Sequence, residues 1–247
     1  MQLDSIAHIQ NDYKEKFGIP RQSGLVNEVV SRIIFDEKYR NPDAVRGLEE
    51  FSHLWLIWVF SEQFASRISS DKTKNDAGST VDFDAKTDCS VWSPTVRPPR
   101  LGGNERIGVF ATRSPNRPNP IGLSLVELVA VEPDTTEGPI LKVKGADLMD
   151  GTPILDIKPY IVYADSRPDA VSGFASEAPD MNRLTVTGLE NLPADIDHDA
   201  VVAILSADPR PAYQHQQNTN RTYGMKFGAY DIRFRVSDNT LHIINEE

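Results

Sequence analysis

The 247-residue chain has one cysteine, Cys89. A single thiol excludes an internal disulfide and suits a reducing compartment. Histidine is sparse too, at 8, 53, 198, 215 and 242, and no His/Cys spacing marks a metal site. No apolar run approaches the length of a membrane span; the most apolar, Leu54 to Phe60, is strand-sized. The N-terminus lacks a basic segment followed by an apolar run, so no signal peptide is read and the expected location is cytoplasmic. Cations are outnumbered, Lys+Arg 26 against Asp+Glu 36, for a net charge of −10. That balance argues against indiscriminate binding to a polyanion but leaves room for a local basic site. No Gly-x-Gly-x-x-Gly follows a strand, so a Rossmann-type nucleotide site is not indicated. The length permits one large β domain, or one domain with a smaller companion, and a sizeable core.

Against these absences stands Gly108-Val-Phe-Ala-Thr-Arg-Ser-Pro-Asn-Arg-Pro-Asn-Pro-Ile-Gly122. Gly108, Val109 and Phe110 read as a strand. Pro115, Pro118 and Pro120 then stiffen a loop, each fixing its own φ and biasing the residue before it toward extended backbone. Such a loop loses little entropy on ordering and offers few N–H donors, so it presents side chains instead: Arg113, Ser114, Asn116, Arg117 and Asn119. A rigid backbone with forks and amides fits a polar, anionic or planar ligand. Between Val96 and Ile121 there are five arginines (97, 100, 106, 113, 117) and one acid, Glu105. A nucleic-acid partner would be met at this basic patch of an otherwise acidic protein.

Along the rest of the chain, residues 3–9 read as a strand, and Gly18 and Pro20 keep the following segment from being a helix. Asn41-Pro42-Asp43 has the signature of a helix start, with the helix ending around Gly47 to Glu50. His53 to Phe60 and Ile121 to Val131 are apolar on both faces, as in strands of a closed barrel. Trp55 and Trp58 point opposite ways on a period of two. Residues 66–90 have the composition of a surface loop. Residues 140–145 and 153–163 read as two further strands joined through Asp147 to Gly151. One convincing helix in about 160 residues points to a β-barrel or closed sheet. Residues 165–180 read as a linker. Beyond it, Asp195 or Asp197 can cap a helix carrying Ile196, Ala200, Val201, Ile204 and Leu205 on one face, stopped by Asp208-Pro209. Tyr230 to Val236 alternates as a half-buried strand, turns at Asp238-Asn239 and returns over Leu241 to Ile244. The expected organisation is a barrel over 1–164, a linker over 165–180 and a small α+β domain over 181–247.

The stretch 108–122 resembles the signature of the TsaA-like family, whose best understood members are TrmO-type tRNA methyltransferases. Three more blocks fit it in order: Tyr13-Lys-Glu-Lys-Phe-Gly-Ile-Pro-Arg-Gln22, Thr95-Val-Arg-Pro-Pro-Arg-Leu-Gly-Gly103 and Asp147-Leu-Met-Asp-Gly-Thr-Pro153. Asp208-Pro-Arg-Pro-Ala-Tyr213 resembles the C-terminal part of the bacterial members. The resemblance implies a non-Rossmann β-barrel that binds S-adenosylmethionine and methylates the N6 of N6-threonylcarbamoyladenosine, beside the anticodon of tRNA, as a homodimer. It implies cofactor contacts at Pro20, Arg21, Gln22, Ser61, Glu62, Arg113, Leu123, Ala146, Asp147, Leu148 and Met149. Ser61 and Glu62 stand where the family often carries His-Gln. Arg117 and Asn119 on the stiff loop, with Arg210 and Tyr213 in the C-terminal block, are expected to meet RNA.

Methyl transfer from a sulfonium is an in-line displacement, for which the protein supplies position and electrostatics rather than a triad or a metal. A polar acceptor would align an adenine amine and take its proton. Asp147 and Asp150 are the candidates by residue type, with Asp150 read more readily as a turn residue bonding local backbone. Two other functions stay open on sequence alone. One is a non-catalytic RNA-binding adaptor, for which only Ser61-Glu62 speaks. The other is a small-molecule methyltransferase, against which the second domain speaks.

Overall fold

The computed structural model describes residues 3–60, 80–81, 92–102, 104–211, 214–215 and 221–245. Ser61, Glu62, Cys89 and Tyr213 lie outside the described residues, as does the 66–90 run apart from Thr80–Val81. The chain opens with β1 (Leu3–Asp4) and β2 (Ala7–Gln10), followed by β3 (Val30–Phe35) and β4 (His53–Val59). Three two-residue strands come next: β5 (Thr80–Val81), β6 (Thr95–Val96) and β7 (Ile107–Gly108). Then come β8 (Ile121–Thr135), β9 (Gly138–Lys144) and β10 (Pro153–Pro159). The C-terminal part holds the single helical turn α1 (Val162–Asp165), β11 (Thr185–Thr187), α2 (His198–Ser206), β12 (Thr222–Phe227), β13 (Tyr230–Ser237) and β14 (Thr240–Ile244).

Six antiparallel strands close into a barrel in the order β10, β2, β3, β9, β8, β4 and back to β10. Closure removes the unpaired edge that an open sheet would leave. The pleat turns alternate residues inward. Leu54, Leu56 and Trp58 of β4 are buried, while His53, Trp55 and Ile57 are half-buried on the outer face. Likewise Gly122, Ser124 and Val126 of β8 point in, and Leu123 is 55% exposed. Both runs were expected to be buried on two sides. The barrel buries only one face of each, so their outer apolar residues remain accessible. The fifteen residues of β8 serve two neighbours, β4 along its first half and β9 along its second, with register shifts at Leu128/Ala130 and Glu132/Thr135 that bend it around the barrel.

Other local expectations need correction. The strand over 3–9 is broken at Ser5, whose hydroxyl donates to Asp36 at 2.9 Å. Asn41 does cap Asp43 N–H and Pro42 does sit at the first position, but the result is a 3₁₀ turn, Pro42–Val45, followed by a second, Leu48–Glu50. Arg46 turns extended at ψ 126° and ends the first turn, and Gly47 at φ 88° opens the second. The strand expected through Phe110 ends at Gly108, and Val109–Ala111 forms a 3₁₀ turn.

In the C-terminal part, β11, β14, β13 and β12 form a four-stranded sheet in that order, with β11 parallel to β14. Asp197 caps α2 by accepting from Ala200 N–H at 3.0 Å. The helix lays Ala200, Val201, Ile204 and Leu205 on the sheet, as its periodicity requires. This core also takes in Tyr13, Val26 and Val29, with Phe17 and Ile19 packed against it. The segment 11–29, between two barrel strands, therefore completes the C-terminal core. Tyr13 meets Phe227 edge-on at 6.1 Å and Phe17 stacks on Phe234 at 6.3 Å. Gly228 N–H donates to Asp12 carbonyl at 2.9 Å. Gly18 adopts φ +95°, and a Cβ there would lie 2.5 Å from Met225 Sδ, so conformation and space both demand glycine.

Candidate active site

Three loops meet at one end of the barrel. The first, residues 18–25, is pinned where Leu125 N–H of β8 donates to Ser23 Oγ at 3.2 Å and Gly24 N–H donates to Gly145 carbonyl at 2.8 Å. These anchors hold Arg21 exposed and Gln22 half-buried.

The second loop is the proline-rich stretch. Thr112 Oγ1 donates to Val109 carbonyl at 2.8 Å and accepts from Ser114 N–H at 3.2 Å, and Ser114 Oγ accepts from Asn116 N–H at 3.2 Å. Arg117 closes the loop from inside, donating from Nη2 to Thr112 carbonyl at 2.8 Å. Arg117 was expected on RNA. It is instead a half-buried brace of its own loop, because the prolines leave carbonyls that need a donor. Asn119 is exposed. Arg113 leaves the loop and donates through Nη1 to Gln22 Oε1, joining the first loop to the second.

The third loop, residues 145–152, divides by side-chain direction. Ala146 and Leu148 are buried in the barrel core, and Leu148 carbonyl accepts from Asn11 Nδ2 at 3.0 Å. Of the four residues expected to touch a cofactor here, these two offer no accessible side chain. Asp147 and Met149 face the other way and are half-buried. Asp150 is a structural residue, but not through local backbone: its two carboxylate oxygens accept from Asn11 N–H at 2.9 Å and Lys14 Nζ at 2.8 Å. Of the two candidate carboxylates, Asp147 is the one set beside Ser124 and the Arg113 charge.

Asp147 is reached from inside the barrel by a relay that sequence reading missed. Trp58 Nε1–H donates to Ser124 Oγ at 3.0 Å, and Ser124 Oγ–H donates to Asp147 Oδ1. The relay depends on Gly122. It pairs with Trp58 across β4 and β8, and a Cβ there would sit 2.2 Å from the indole ring. Gly122 thus lets the ring lie flat against its neighbour strand and aim its N–H at Ser124. Burial raises the Asp147 carboxyl above the usual carboxylate range, opposed by the Ser124 hydrogen bond and the nearby Arg113 charge. A signal was present in the sequence: Ser124 is a polar residue on the inward face of β8, where it must find a partner.

Beside these loops a wide cleft of about 1890 Å³ opens between residues 18–26, the stretch 92–116 and the C-terminal part. Pro20, Arg21, Gln22 and Arg113 line it; Leu123 and residues 146–149 do not. The cleft therefore takes in four of the eleven expected cofactor residues, with Arg113 the link to Asp147 through its charge. Arg210 lines the cleft but is only 2% exposed, and its Nε and Nη2 donate to the two oxygens of buried Asp208 at 2.8 and 2.9 Å. Arg210 was expected on RNA. A guanidinium so enclosed holds the Asp-Pro-Arg turn together rather than reaching a phosphate. Among the described residues no cluster of His, Cys, Asp and Glu could hold a metal, and no helix is long and apolar enough to cross a membrane.

The geometry can be set beside known proteins. Residues 8–166 match the model of the tRNA-methyltransferase O N-terminal domain, and residues 182–247 that of the TrmO C-terminal domain. The chain is 40% identical to the tRNA (adenine(37)-N6)-methyltransferase of Escherichia coli K12, covering 96% of this chain and 94% of that protein. It is 46% identical to the protein of the same name from Eikenella corrodens, over 75% of this chain and 91% of that one. The crystal structure of TrmO from Pseudomonas aeruginosa superposes with a TM-score of 0.68 at 27% identity, covering 98% of this chain and 97% of that one. With a family model on each part and relatives aligned nearly end to end, the chain belongs to the tRNA-methyltransferase O family.

Proposed function

We propose that this protein transfers the methyl group of S-adenosylmethionine to the N6 of adenine 37 in the anticodon loop of tRNA, on a base already carrying the threonylcarbamoyl group. The observation that carries this reading is the meeting of Arg113–Gln22 with Trp58–Ser124–Asp147 at one end of a barrel, in a chain that aligns over nearly its whole length with a tRNA (adenine(37)-N6)-methyltransferase. The donor set suits the cofactor: Arg21 and Arg113 for a carboxylate, the Gln22 amide for polar edges, and the partly desolvated Asp147 for a cationic centre. When bound, S-adenosylmethionine supplies a methyl group on a good leaving group. The chain's own residues then have three tasks. Arg113, tied to Gln22, orients the anionic end of the cofactor. The Ser124 hydroxyl fixes one Asp147 oxygen. The Asp147 carboxylate, which also accepts backbone hydrogen bonds from Ser23 and from its own residue, aligns an amine and accepts its proton. Ser61 and Glu62 remain assigned to the cofactor, and Asn119 and Tyr213 to RNA, by the family resemblance alone. A cytoplasmic homodimer, with domains divided at 1–164, 165–180 and 181–247, belongs to the same proposal.

Transfer of labelled methyl from S-adenosylmethionine to tRNA with and without the threonylcarbamoyl group tests the reading. Label on the modified tRNA only is the expected result. No label on either, with tight RNA binding, would leave a non-catalytic RNA binder in its place.

A further inference from the structure

The cleft carries a feature that methyl transfer itself does not use. Phe110 is 75% exposed, whereas the other phenylalanines among the described residues are mostly enclosed. Its exposure is held in place rigidly. The neighbouring Val109 is 1% exposed, its N–H donates to Pro94 carbonyl at 2.9 Å, and its carbonyl accepts from Thr112 N–H at 3.1 Å. Trp92 backs the ring, with centroids 6.0 Å apart and planes inclined by 35°. Phe174, 41% exposed, lines the same cleft.

The surroundings say what would cover such a ring. On the same wall of the cleft stand Arg97, Arg100, Arg106 and Arg113, and none of the described residues lining it between 92 and 116 is acidic. In a chain of net charge −10, four cations on the wall that carries the exposed Phe110 are complementary to a planar ligand with an anionic backbone, while the cleft's acids, Glu177, Asp180, Asp208 and Asp238, belong to its C-terminal side. Aromatic faces among arginines are how proteins hold unpaired nucleotides, with bases on the rings and phosphates on the guanidinium groups. An apolar protein partner or an aliphatic ligand would gain nothing from the arginines.

Resting on the reading of tRNA as substrate, we infer that Phe110, supported by Trp92, is a stacking platform for an unpaired nucleobase of the RNA. The sequence places it three residues before Arg113, so a base stacked there is delivered beside the cofactor residues. Phe110 is in this sense a positioning residue for the reaction. Because its backbone is fixed by Val109 and Thr112, little ordering entropy opposes the stack.

The test measures binding of a fluorescein-labelled anticodon stem-loop RNA to the full-length protein and to Phe110→Ala, Phe110→Leu and Phe110→Trp. Loss of a base stack weakens binding by roughly 5- to 140-fold. Alanine and leucine should both show this loss and tryptophan should retain binding, while S-adenosylmethionine affinity and melting temperature stay at their wild-type values. Wild-type RNA affinity in Phe110→Ala overturns the inference, as does full recovery in Phe110→Leu, which would mean apolar contact without stacking. A change in oligomeric state with unchanged RNA binding also overturns it, and would make the ring a contact between copies of this chain. If the wild-type protein binds the stem-loop through Phe110 but transfers no methyl group, the stack stands and the proposed reaction fails.

Discussion

At the scale of single residues, the proposed site turns on Asp147, a half-buried carboxylate whose burial opposes its charge. Its carboxyl is raised because burial penalises the ionised form, and Ser124 and Arg113 offset part of that penalty. A carboxylate raised in the fold detracts from stability wherever it is ionised, and the loss disappears once the pH falls below the ordinary value of 3.8, where folded and unfolded forms are both protonated. Asp147→Asn should therefore raise the melting temperature at pH 7, with the gain vanishing in acid, while abolishing most of the methyl transfer; thermal scans across pH check the first and labelled transfer the second. Arg113→Ala should weaken S-adenosylmethionine binding by about 1.5–3 kcal/mol, the worth of a hydrogen bond to a charged group. Calorimetry decides it, and wild-type affinity would remove Arg113 from the cofactor. That Arg113, Gln22 and Asp147 come together was foreshadowed in the sequence, because all three sit in motifs that a family resemblance can reach. For Arg210 and Arg117 the sequence shows a cation but not the carboxylate or carbonyl that each already bonds in the fold.

Among the elements, β8 sets the register of the site. Its inward residues Gly122, Ser124 and Val126 provide in turn a space, a hydroxyl and an apolar wall, all facing β4. Gly122→Ala would drive a methyl group into the Trp58 ring, since the overlap cannot be relieved without moving the indole. Overpacking of that kind costs about 1–3 kcal/mol, and it would also withdraw the indole N–H from Ser124. Denaturant unfolding should show the stability loss, and cofactor titration a weakened site; an unaffected site would mean that the relay from Trp58 does not position Asp147. The strands themselves could be read from alternation and β-branched runs. Their burial could not, because a run such as His53 to Phe60 looks equally apolar on both faces whether one or both are covered. Phe110 was read as strand because bulk and branching favour one locally, yet the hydrogen bonds of Val109 and Thr112 bend the chain into a turn.

For the whole molecule, the segment 11–29 overrides the order of the sequence. The C-terminal helix and sheet were readable from their own periodicity, and nothing in their residues reveals that Tyr13, Val26 and Val29 complete their core. A fragment of residues 181–247 should consequently fail to fold alone: dispersed amide signals should be missing from its proton–nitrogen spectrum, and adding a peptide of residues 11–29 should improve them. A well-folded fragment would show that its own apolar contacts suffice. The same arrangement constrains how the protein is made. Lys226 N–H bonds Glu15 across 211 positions of sequence at 2.8 Å, and such distant closures are slow to form. At ribosomal rates of about 5–20 residues per second, the roughly two hundred residues that follow Val29 take some 10–40 s to emerge. For that interval the apolar side chains of Tyr13, Phe17 and Val26 wait without their partners, exposed to whatever surfaces the cell presents. The loop that carries Arg21 and Gln22 sits within this waiting segment, held on one side by its barrel anchors at Ser23 and Gly24 while its apolar flanks await the C-terminal sheet.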